Sequence, residues 1–223
     1  MEKHTVLLSL VAVLSFCCIA FAYEPAPLQD FCVADLNSPG IAFRQLTVNG
    51  FSCKNPMMVQ ANDFLFRGFN IPGNTSNPVR SKVSPVTAAQ LPGLKTFGIA
   101  MARVDYLPGG VNPPHYHPRA SEIFTLIEGS LLVGFVTTNP ENRLISKVLQ
   151  KGDVFVFPKG LIHFQLNLGN EKALGISALS SQNPGIMTVA NAVFGSNPLI
   201  SSEVLTKAFQ TDKKVIDQIL SKF

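Results

Sequence analysis

Two histidines one residue apart and a nearby glutamate, in the stretch PPHYHPRASE, have side chains of the types that bind transition metals. The chain contains four histidines: His4 in the N-terminal segment, and His115, His117 and His163. On a strand, residues i and i+2 point to the same face, so the rings of His115 and His117 can converge on one point. Three imidazoles and the carboxylate of Glu122 would complete the protein ligands of a divalent transition metal.

The spacing of Glu122 and His163 relative to the histidine pair requires more than one strand. Glu122 lies five residues after His117, and on an unbroken strand residues an odd number apart point to opposite faces. Pro118 and the short segment after it predict a bend that could return the carboxylate to the face of the two rings. His163 follows a Pro-Lys-Gly turn and is predicted on another strand. The four side chains therefore have to converge from two adjacent strands.

Other interpretations of these residues remain open. A single histidine on an apolar strand is usually structural, and a His-x-His pair alone is a motif with real false-positive risk. The stronger indication is that every histidine outside the N-terminal segment falls within this pattern. The chain has no nucleophile elbow for a Ser/His/Asp triad, and a cysteine nucleophile requires an unpaired thiol.

The donor types restrict the metal without identifying it. Three imidazole nitrogens and a carboxylate suit Mn, Fe, Ni, Cu or Zn. A closed structural zinc site usually includes cysteine, and non-haem Fe(II) oxygenases use two histidines and one carboxylate. A six-coordinate ion held by these four donors would keep two positions at which a small molecule could bind.

The first residues have the pattern of a secretory signal peptide. Residues 6–22 are apolar or small, and Ala20-Phe21-Ala22 is a small-x-small pattern that predicts cleavage after Ala22. A membrane-spanning helix is the alternative, but the run is at the short limit for a span and no basic cluster follows it. We therefore expect residues 1–22 to be removed from a secreted protein that has no membrane span.

Composition and cysteine use predict one secreted domain of about 200 residues. The net charge of +4 is mild and no run of Lys or Arg is present, which argues against a dedicated nucleic-acid binder. Removal of Cys17 and Cys18 with the signal peptide leaves Cys32 and Cys53, which predict a disulfide in an oxidising compartment. Asn74 begins the N-x-S/T sequon of the chain, in a loop rich in Pro, Gly and Asn where a glycan would be exposed.

Most of the chain predicts short antiparallel strands. Residues 23–80 are rich in Pro, Asn and Gly and predict an irregular arm. Runs rich in β-branched and aromatic residues then predict strands at residues 94–106, 123–127, 131–137, 144–149, 154–157, 162–166, 173–179 and 186–189. Turn signals separate these runs, which is typical of an antiparallel sandwich or barrel. Two stretches at helical spacing, 204–209 and 215–220, predict amphipathic helices that pack on the barrel or on a neighbouring subunit.

Two motifs of the chain resemble those of the cupins, in the variant found in the germins and germin-like proteins of plants. The motifs are Gly109-x5-His115-x-His117-x4-Glu122-x6-Gly129 and Gly152-x5-Pro158-x-Gly160-x2-His163-x3-Asn167. The resemblance includes PLQDFCVADL at 27–36, GNTSNP at 73–78, LPGGVNPPHYHPRASE at 107–122, SQNPG at 181–185 and VLTKAF at 204–209. It therefore covers nearly the whole mature chain.

The resemblance implies an all-β fold, a cupin jelly-roll β-barrel with an irregular, disulfide-tied N-terminal arm and C-terminal α-helices. The implied division of the chain is a signal peptide at 1–22, an arm with the disulfide and glycosylation loop at 23–80, the barrel at 81–197 and a helical oligomerisation segment at 198–223.

A metal, an assembly and a location are also implied by the resemblance. One Mn(II) ion is expected to be bound by His115, His117, Glu122 and His163. The expected assembly is a homohexamer, built as a trimer of dimers in which the terminal helices clasp neighbouring subunits. The expected location is extracellular, in the apoplast and cell wall.

Activities within the family differ. Germins proper oxidise oxalate, whereas many germin-like relatives show manganese superoxide dismutase activity or no assigned activity. The oxalate-oxidising members carry two active-site asparagines; Asn112 matches one, and Ala102 replaces the other. Alanine lacks the amide that could orient a dianion, so Ala102 argues against oxalate oxidase. We therefore expect superoxide dismutase-like chemistry that produces hydrogen peroxide in plant defence or wall development, with the amide of Asn112 as a possible proton relay near the metal.

A non-enzymatic binding, storage or receptor-like protein of the apoplast is the alternative function. Lys151-Gly152-Asp153 resembles an adhesion tripeptide, but Gly-Asp also makes a tight turn into the next predicted strand. Gly152 in addition belongs to the second motif. An enzyme should lose turnover when His163→Ala removes the metal, whereas a pure binder would keep its affinity for a partner.

Overall fold

The computed structural model describes residues 29–39 and 51–223, so the predicted signal peptide lies outside the described residues. The strands are β1 (Ala34–Pro39), β2 (Phe51–Cys53), β3 (Ser81–Val86), β4 (Ala100–Tyr106), β5 (Val111–Tyr116), β6 (Glu122–Glu128), β7 (Ser130–Val136), β8 (Leu144–Gln150), β9 (Val154–Phe157), β10 (His163–Leu166), β11 (Ala173–Leu179) and β12 (Met187–Thr188). The α-helices are α1 (Val189–Phe194), α2 (Ser202–Phe209) and α3 (Lys213–Leu220), and short 3-10 helices lie at Pro56–Met58, Ala61–Phe64 and Pro92–Leu94.

Two five-stranded antiparallel sheets form the barrel. The strand order is β12-β5-β10-β7-β8 in the first sheet and β3-β4-β11-β6-β9 in the second. Because β11 pairs with both β4 and β6, and β10 with both β5 and β7, the chain crosses repeatedly between the sheets. This arrangement is that of a jelly roll, so the predicted all-β fold class is confirmed.

Two of the predicted strands are wrong in part. The run 94–106 becomes a strand only at Ala100, because Thr96 and Gly98 before it have left-handed φ angles of 70° and 69° that interrupt extended structure. The run 186–189 is a strand only at Met187–Thr188, and Val189 is already the first residue of α1.

Two strands of the barrel, β3 and β5, have no counterpart among the predicted runs. Both contain proline, at Pro85 in β3 and at Pro113 and Pro114 in β5. Proline lowers the expectation of a strand because it cannot donate to the ladder, and it is confined to edges and bulges. β3 is an edge strand of its sheet, and the pairing of β5 contains an irregularity beside its two prolines.

The core lies between the two sheets. Its buried cluster is Val104, Tyr106, Phe124, Leu126, Leu131, Val133, Leu149, Phe157 and Ala173. Gly175 on β11 permits this packing, because a Cβ at that position would lie 2.0 Å from the ring of Phe124. The tight core gives the polar residues at one end of the barrel a rigid support.

The disulfide predicted for the arm is present, between Cys32 and Cys53 next to the small sheet of β1 and β2. The side chain of Lys95, which has no exposed surface, extends beneath it. Its Nζ atom donates to the carbonyl of Phe51 and lies 3.3 Å from Cys32 Sγ. Burial lowers the pKa of Lys95, because the charged ammonium loses its hydration. Lys95 therefore connects the arm to the polypeptide that leads into β4.

We expect replacement of both Cys32 and Cys53 by alanine to lower the free energy of unfolding. The disulfide joins residues 21 apart in sequence, and closing a loop of this order restricts the unfolded chain by roughly 3 kcal/mol. Guanidinium unfolding of the variant and of the oxidised protein would measure this difference. Reduction of the unmutated protein should reproduce the loss, and unchanged stability in both cases would contradict the expectation.

The loop that carries Asn74 is tied to the barrel. Asp105 on β4 accepts a hydrogen bond of 2.9 Å from the backbone N–H of Gly73, and Arg103 donates to the same carboxylate. Asn74 itself is exposed, and its side-chain oxygen accepts from the backbone of Ser76. The sequon therefore lies on the surface of the folded chain.

The predicted C-terminal helices are present as α2 and α3. Ser201 caps α2 by accepting from the backbone N–H of Val204. Leu205 and Ile216 are buried, and Asp217 links the helices by accepting from Ser202 of α2. None of the helices in the described part of the chain is long and apolar enough to cross a membrane.

Candidate metal centre

A β-bulge brings Asn112 and His115 to the same interior face. His115 pairs with His163 of β10, and Asn112 pairs with Gln165, so β5 spans three residues where β10 spans two. The extra residue lies in the Pro113-Pro114 segment. Proline has no backbone N–H, so a proline that is left out of the pairing loses no donated hydrogen bond between the strands. Without the bulge, residues three apart on a strand would point to opposite faces.

Of the remaining two side chains, His117 lies just after β5 and Glu122 approaches from the other sheet. The chain turns after His117, as the sequence predicted, but it crosses to the second sheet before Glu122 begins β6. The expected convergence from two adjacent strands is therefore wrong, because the four side chains come from both sheets. Glu122 pairs with Phe157 of β9 and with Leu179 of β11. Because Glu122 lies in the centre of these three strands, its carboxylate has little freedom to move.

The four predicted side chains come together in one buried cluster. His115, His117, Glu122 and His163 each offer a ligand atom, and these atoms all lie within 4.8 Å of one another. Glu122 Oε2 lies 3.0 Å from His117 Nε2 and 3.4 Å from His163 Nε2. All four residues are less than a tenth exposed, with His163 at 1%.

Backbone carbonyls orient all three imidazoles. The Nδ1 atoms lie 2.7 Å from the oxygen of Pro113 for His115, 2.6 Å from that of Gly185 for His117 and 2.9 Å from that of Leu161 for His163. Because a carbonyl can only accept, each Nδ1 must carry the proton. In a neutral ring Nε2 is then a free lone pair, which is the state that binds a metal. At His117 this atom instead lies 3.0 Å from Glu122 Oε2 and shares a proton with it.

One atom of the cluster lacks a hydrogen-bond partner. The Nε2 atom of His163 is buried and forms no hydrogen bond, although Glu122 is close. A buried polar atom without a partner is costly, and a cation bound between the four side chains would provide one. The donor set also fits such an ion, since three neutral imidazoles and one carboxylate carry a single negative charge.

The pKa values of Glu122 and His115 favour this charge state, whereas that of His117 favours its protonated form. Burial alone would raise the pKa of Glu122, but His117, His163 and Ser177 outweigh it and hold that pKa well below its usual range. Burial and the neighbouring His163 lower the pKa of His115 to about 4. Burial also acts to lower the pKa of His117, yet the hydrogen bond to Glu122 raises it above its ordinary value. A bound metal would replace the proton that His117 and Glu122 share.

Three further residues that sequence reasoning missed support the cluster. Ser177 Oγ donates to Glu122 Oε1 at 2.6 Å, and the ring of Phe157 stacks on that of His163 with centroids 4.5 Å apart. Gln165 is buried opposite Asn112 and accepts a hydrogen bond of 3.4 Å from the hydroxyl of Tyr106. The sequence could have indicated Ser177 by its position, because it lies an even number of residues from Ala173, Gly175 and Leu179, which face inward on the same strand.

Asn112 and Ala102, the two positions compared with oxalate-oxidising germins, are both buried. Asn112 lies on the face of β5 that carries His115. Ala102 pairs across β4 and β11 with Ser177, the residue that binds Glu122. Lys151-Gly152-Asp153, in contrast, forms the turn between β8 and β9, where Asp153 accepts from the backbone of Gln150.

We expect Ser177→Ala to weaken metal binding by roughly 10- to 100-fold, the usual effect of removing a group that orients a ligand. Without the hydroxyl, Glu122 keeps its charge but loses the 2.6 Å bond that fixes its orientation. Titration of the metal-free protein with Mn(II) measures the effect. Ser146→Ala, on an exposed position of β8, is the matched control and should bind as tightly as the unmutated protein.

Comparison with known proteins identifies relatives over most of the chain. The family model described as Cupin matches residues 67–217. Germin-like protein 8-2 of Oryza sativa subsp. japonica is 61% identical over 206 residues, covering 92% of this chain and 90% of the relative. Germin-like protein subfamily 1 member 16 of Arabidopsis thaliana is 55% identical over 203 residues, covering 91% and 89%.

The solved structures include a close match to the whole barrel. An oxalate oxidase in complex with the substrate analogue glycolate superposes with a TM-score of 0.82 at 44% sequence identity, covering 89% of this chain and 97% of that chain. The match extends the predicted family resemblance to the three-dimensional fold.

Proposed function

Since the chain belongs to the germin-like proteins of the cupin family, we propose that it binds one Mn(II) ion and uses it for superoxide dismutase-like redox chemistry in the apoplast. The proposed ligands are His115, His117, Glu122 and His163. The observation that carries the proposal is the buried, unpartnered Nε2 of His163 among converging donors. Manganese is chosen over the other ions that suit these donors because of the resemblance to germins.

The bound ion would supply a change of oxidation state, by which two superoxide anions and two protons give one dioxygen and one hydrogen peroxide. Backbone carbonyls hold the Nδ1 protons of the three imidazoles, which leaves the Nε2 atoms for the ion, and Glu122 stays ionised and would offset part of the ion's charge. Phe157 covers one face of His163 and excludes water from it. Asn112 lies beside His115 and can hold a water molecule that delivers protons.

Oxalate oxidation is a less suitable function for this pocket. The oxalate oxidase that superposes on the chain supports the fold. In this chain, however, Ala102 offers only a methyl group where the resemblance implies an asparagine amide. A methyl group cannot form the hydrogen bonds that would orient a small dianion.

Secretion, glycosylation and assembly belong to the same proposal. The signal-peptide pattern at 1–22 supports secretion to the cell wall, and the exposed Asn74 supports a glycan. Assembly into a hexamer is supported by apolar surface on the outside of the second sheet, where Met101, Ile123 and Val156 are exposed. Val204 and Phe209 of α2 add exposed apolar surface in the helical segment.

The proposal is tested by varying the metal ion that the protein carries. Metal-free protein is reloaded separately with Mn(II), Fe(II) and Zn(II), and superoxide removal is measured against bound metal. We expect activity to follow manganese content and to be absent with zinc, which has no second accessible oxidation state. Equal activity with and without bound manganese would refute the proposed function. Adding hydrogen peroxide detection distinguishes dismutation from simple scavenging.

A further inference from the structure

The disulfide of the N-terminal arm joins two cysteines in different surroundings. Cys32 is buried, with 3% of its surface exposed, whereas Cys53 is exposed at the end of β2. Because a dissolved thiolate has to reach a sulfur atom in order to attack it, exchange is directed to the exposed cysteine. Cys32 would then be the sulfur that leaves when the disulfide is cleaved.

A buried cation lies beside the cysteine that would leave. Lys95 Nζ is 3.3 Å from Cys32 Sγ, and the lysine has no exposed surface. Its Nζ also donates to the carbonyl of Phe51, which carries no net charge, and none of the ion pairs among the described residues includes Lys95. A buried ammonium without a counterion is costly, so a thiolate at Cys32 would supply the charge that this site lacks.

The polypeptide on both sides of Lys95 is fixed. The backbone N–H of Lys95 donates to the carbonyl of Pro92, and that of Phe97 donates to the carbonyl of Leu94. Thr96 lies between them with a left-handed φ of 70°, which is strained for a β-branched side chain. Such a conformation persists only where the surrounding contacts hold it. The backbone that carries the ammonium is therefore held by contacts other than the disulfide.

The two segments that carry the cysteines are also joined by backbone contacts. Ala34 pairs with Cys53 in the small sheet of β1 and β2. Next to this pair, the backbone N–H of Lys54 donates to the carbonyl of Val33 at 2.8 Å. Since neither contact involves a sulfur atom, both can persist after the sulfur–sulfur bond is cleaved. The buried thiol and the ammonium would then remain neighbours.

We propose that Cys53 is a site of thiol–disulfide exchange with small thiols, in which Cys32 is the leaving thiolate and Lys95 is its counterion. A small thiol loses its proton to water and attacks Cys53 Sγ. The bond between the two cysteines breaks, its electron pair goes to Cys32, and a mixed disulfide joins the small thiol to Cys53. A second small thiol attacks this mixed disulfide, which gives a small-molecule disulfide, and its proton passes to Cys53. The protein gains two electrons, and two molecules of the small thiol are oxidised.

An adjacent ammonium favours this cleavage in two ways. It stabilises the thiolate, which favours the reduced protein at equilibrium, and it makes Cys32 a better leaving group, which speeds exchange. A thiol that is buried in apolar surroundings without a cation is affected in the opposite direction. The charge of Lys95 therefore distinguishes an exchange site from a purely structural disulfide. None of these residues belongs to the metal cluster, so the exchange does not depend on the proposed function.

The direction of attack is tested by incubating the native protein with glutathione at neutral pH and quenching the mixture with acid. Mass spectrometry of the peptides then locates the mixed disulfide. We expect glutathione on Cys53 and not on Cys32. Glutathione mainly on Cys32 would overturn the proposed direction, and a protein that glutathione neither modifies nor reduces would overturn the exchange site.

Two lysines provide a matched pair of variants for the role of the ammonium. Lys95→Met removes the charge next to Cys32. Lys54→Met removes an equal charge next to Cys53, where the Nζ atom of the lysine binds Asp63 at 2.9 Å. In the reduced protein at mildly acidic pH, iodoacetamide should alkylate Cys32 at least about threefold more slowly in Lys95→Met, because less of the thiol is ionised. Reduction by glutathione should slow by roughly the same factor, and Lys54→Met should match the unmutated protein in both measurements.

Lys95→Arg keeps a positive charge, so alkylation of Cys32 should be faster in this variant than in Lys95→Met. Equal alkylation rates in Lys95→Met and the unmutated protein would overturn the role of the ammonium, as would equal losses in the two methionine variants. Reduction that unfolds the arm would give one rate in every protein and would also count against the proposal. The position of the mixed disulfide is measured on the unmutated protein, so it tests the proposal even if Lys95→Met does not fold.

Discussion

Replacing His163 with alanine is expected to lower the affinity for Mn(II) by more than about 100-fold, beyond the usual range for groups that only orient a ligand. His163 contributes the Nε2 atom that is buried without a hydrogen-bond partner in the cluster. Alanine removes this donor and leaves three side chains, among which Glu122 has only His117 to share its charge. Superoxide removal should disappear together with the metal. Elemental analysis and calorimetric titration with Mn(II) measure the loss.

The neighbouring residue on the same strand provides the control for this variant. Phe164 follows His163 on β10 and is less buried, on the alternate face of the strand. Phe164→Ala removes packing but no metal donor, so it should retain bound manganese even if it melts at a lower temperature. Added Mn(II) should raise the melting temperature of the unmutated protein and of Phe164→Ala, but not of His163→Ala. Normal manganese binding by His163→Ala would mean that the four side chains are not the ligand set.

Replacing Ala102 with asparagine is expected to produce measurable oxalate oxidation. Turnover should be at least about tenfold above that of the unmutated protein, because one well-placed hydrogen-bond donor to a developing charge can contribute more than this. Residue 102 pairs with Ser177 and, with His117, lines a cavity between β3 and residues 183–186. An amide there would supply the donor and the acceptor that a methyl group lacks. Hydrogen peroxide formed from oxalate, measured per bound manganese, is the readout.

Ala102→Leu is the matched control, because leucine has nearly the shape of asparagine but no amide. It should fill the same space without any gain in oxalate turnover, so a gain in both variants would indicate an effect of volume alone. Neither variant should release the metal, because Ala102 contributes no ligand atom to the cluster. If Ala102→Asn binds manganese and still does not oxidise oxalate, the pocket must differ from that of an oxalate oxidase at other positions.

The sequence was sufficient to predict which four side chains cluster in the structure, and to predict most of the strands. His115 and His117 are separated by one residue, and the break at Pro118 is local, so both features can be interpreted from neighbouring positions. Most strands of the barrel have β-branched and aromatic residues at their core positions, and their prediction depends only on this local composition. The helical spacing of residues 204–209 is equally local, and it correctly predicted α2, which Ser201 caps in the structure.

The support of the site depends on contacts between residues far apart in sequence. The bulge in β5 is visible only from its pairing with β10, because two prolines are typical of an edge or a bulge but do not reveal which residues of the two strands pair. Ser177 reaches Glu122 across 55 residues of sequence, and Gly185 reaches His117 across 68. Such contacts depend on which residues of two strands lie opposite each other, and this pairing cannot be predicted from a single sequence. Parity on β11 could have indicated that Ser177 faces inward, but not which group it binds.

The measurement that tests the central proposal most directly is the rate of superoxide decay with the purified native protein, normalised to bound manganese. Free Mn(II) at the same concentration is the reference. A secreted dismutase requires a rate per bound manganese far above that of the free ion, and this is the result we expect. A rate no higher than that of the free ion would contradict the proposed function, and the metal would then be a structural or ligand-binding element of the barrel.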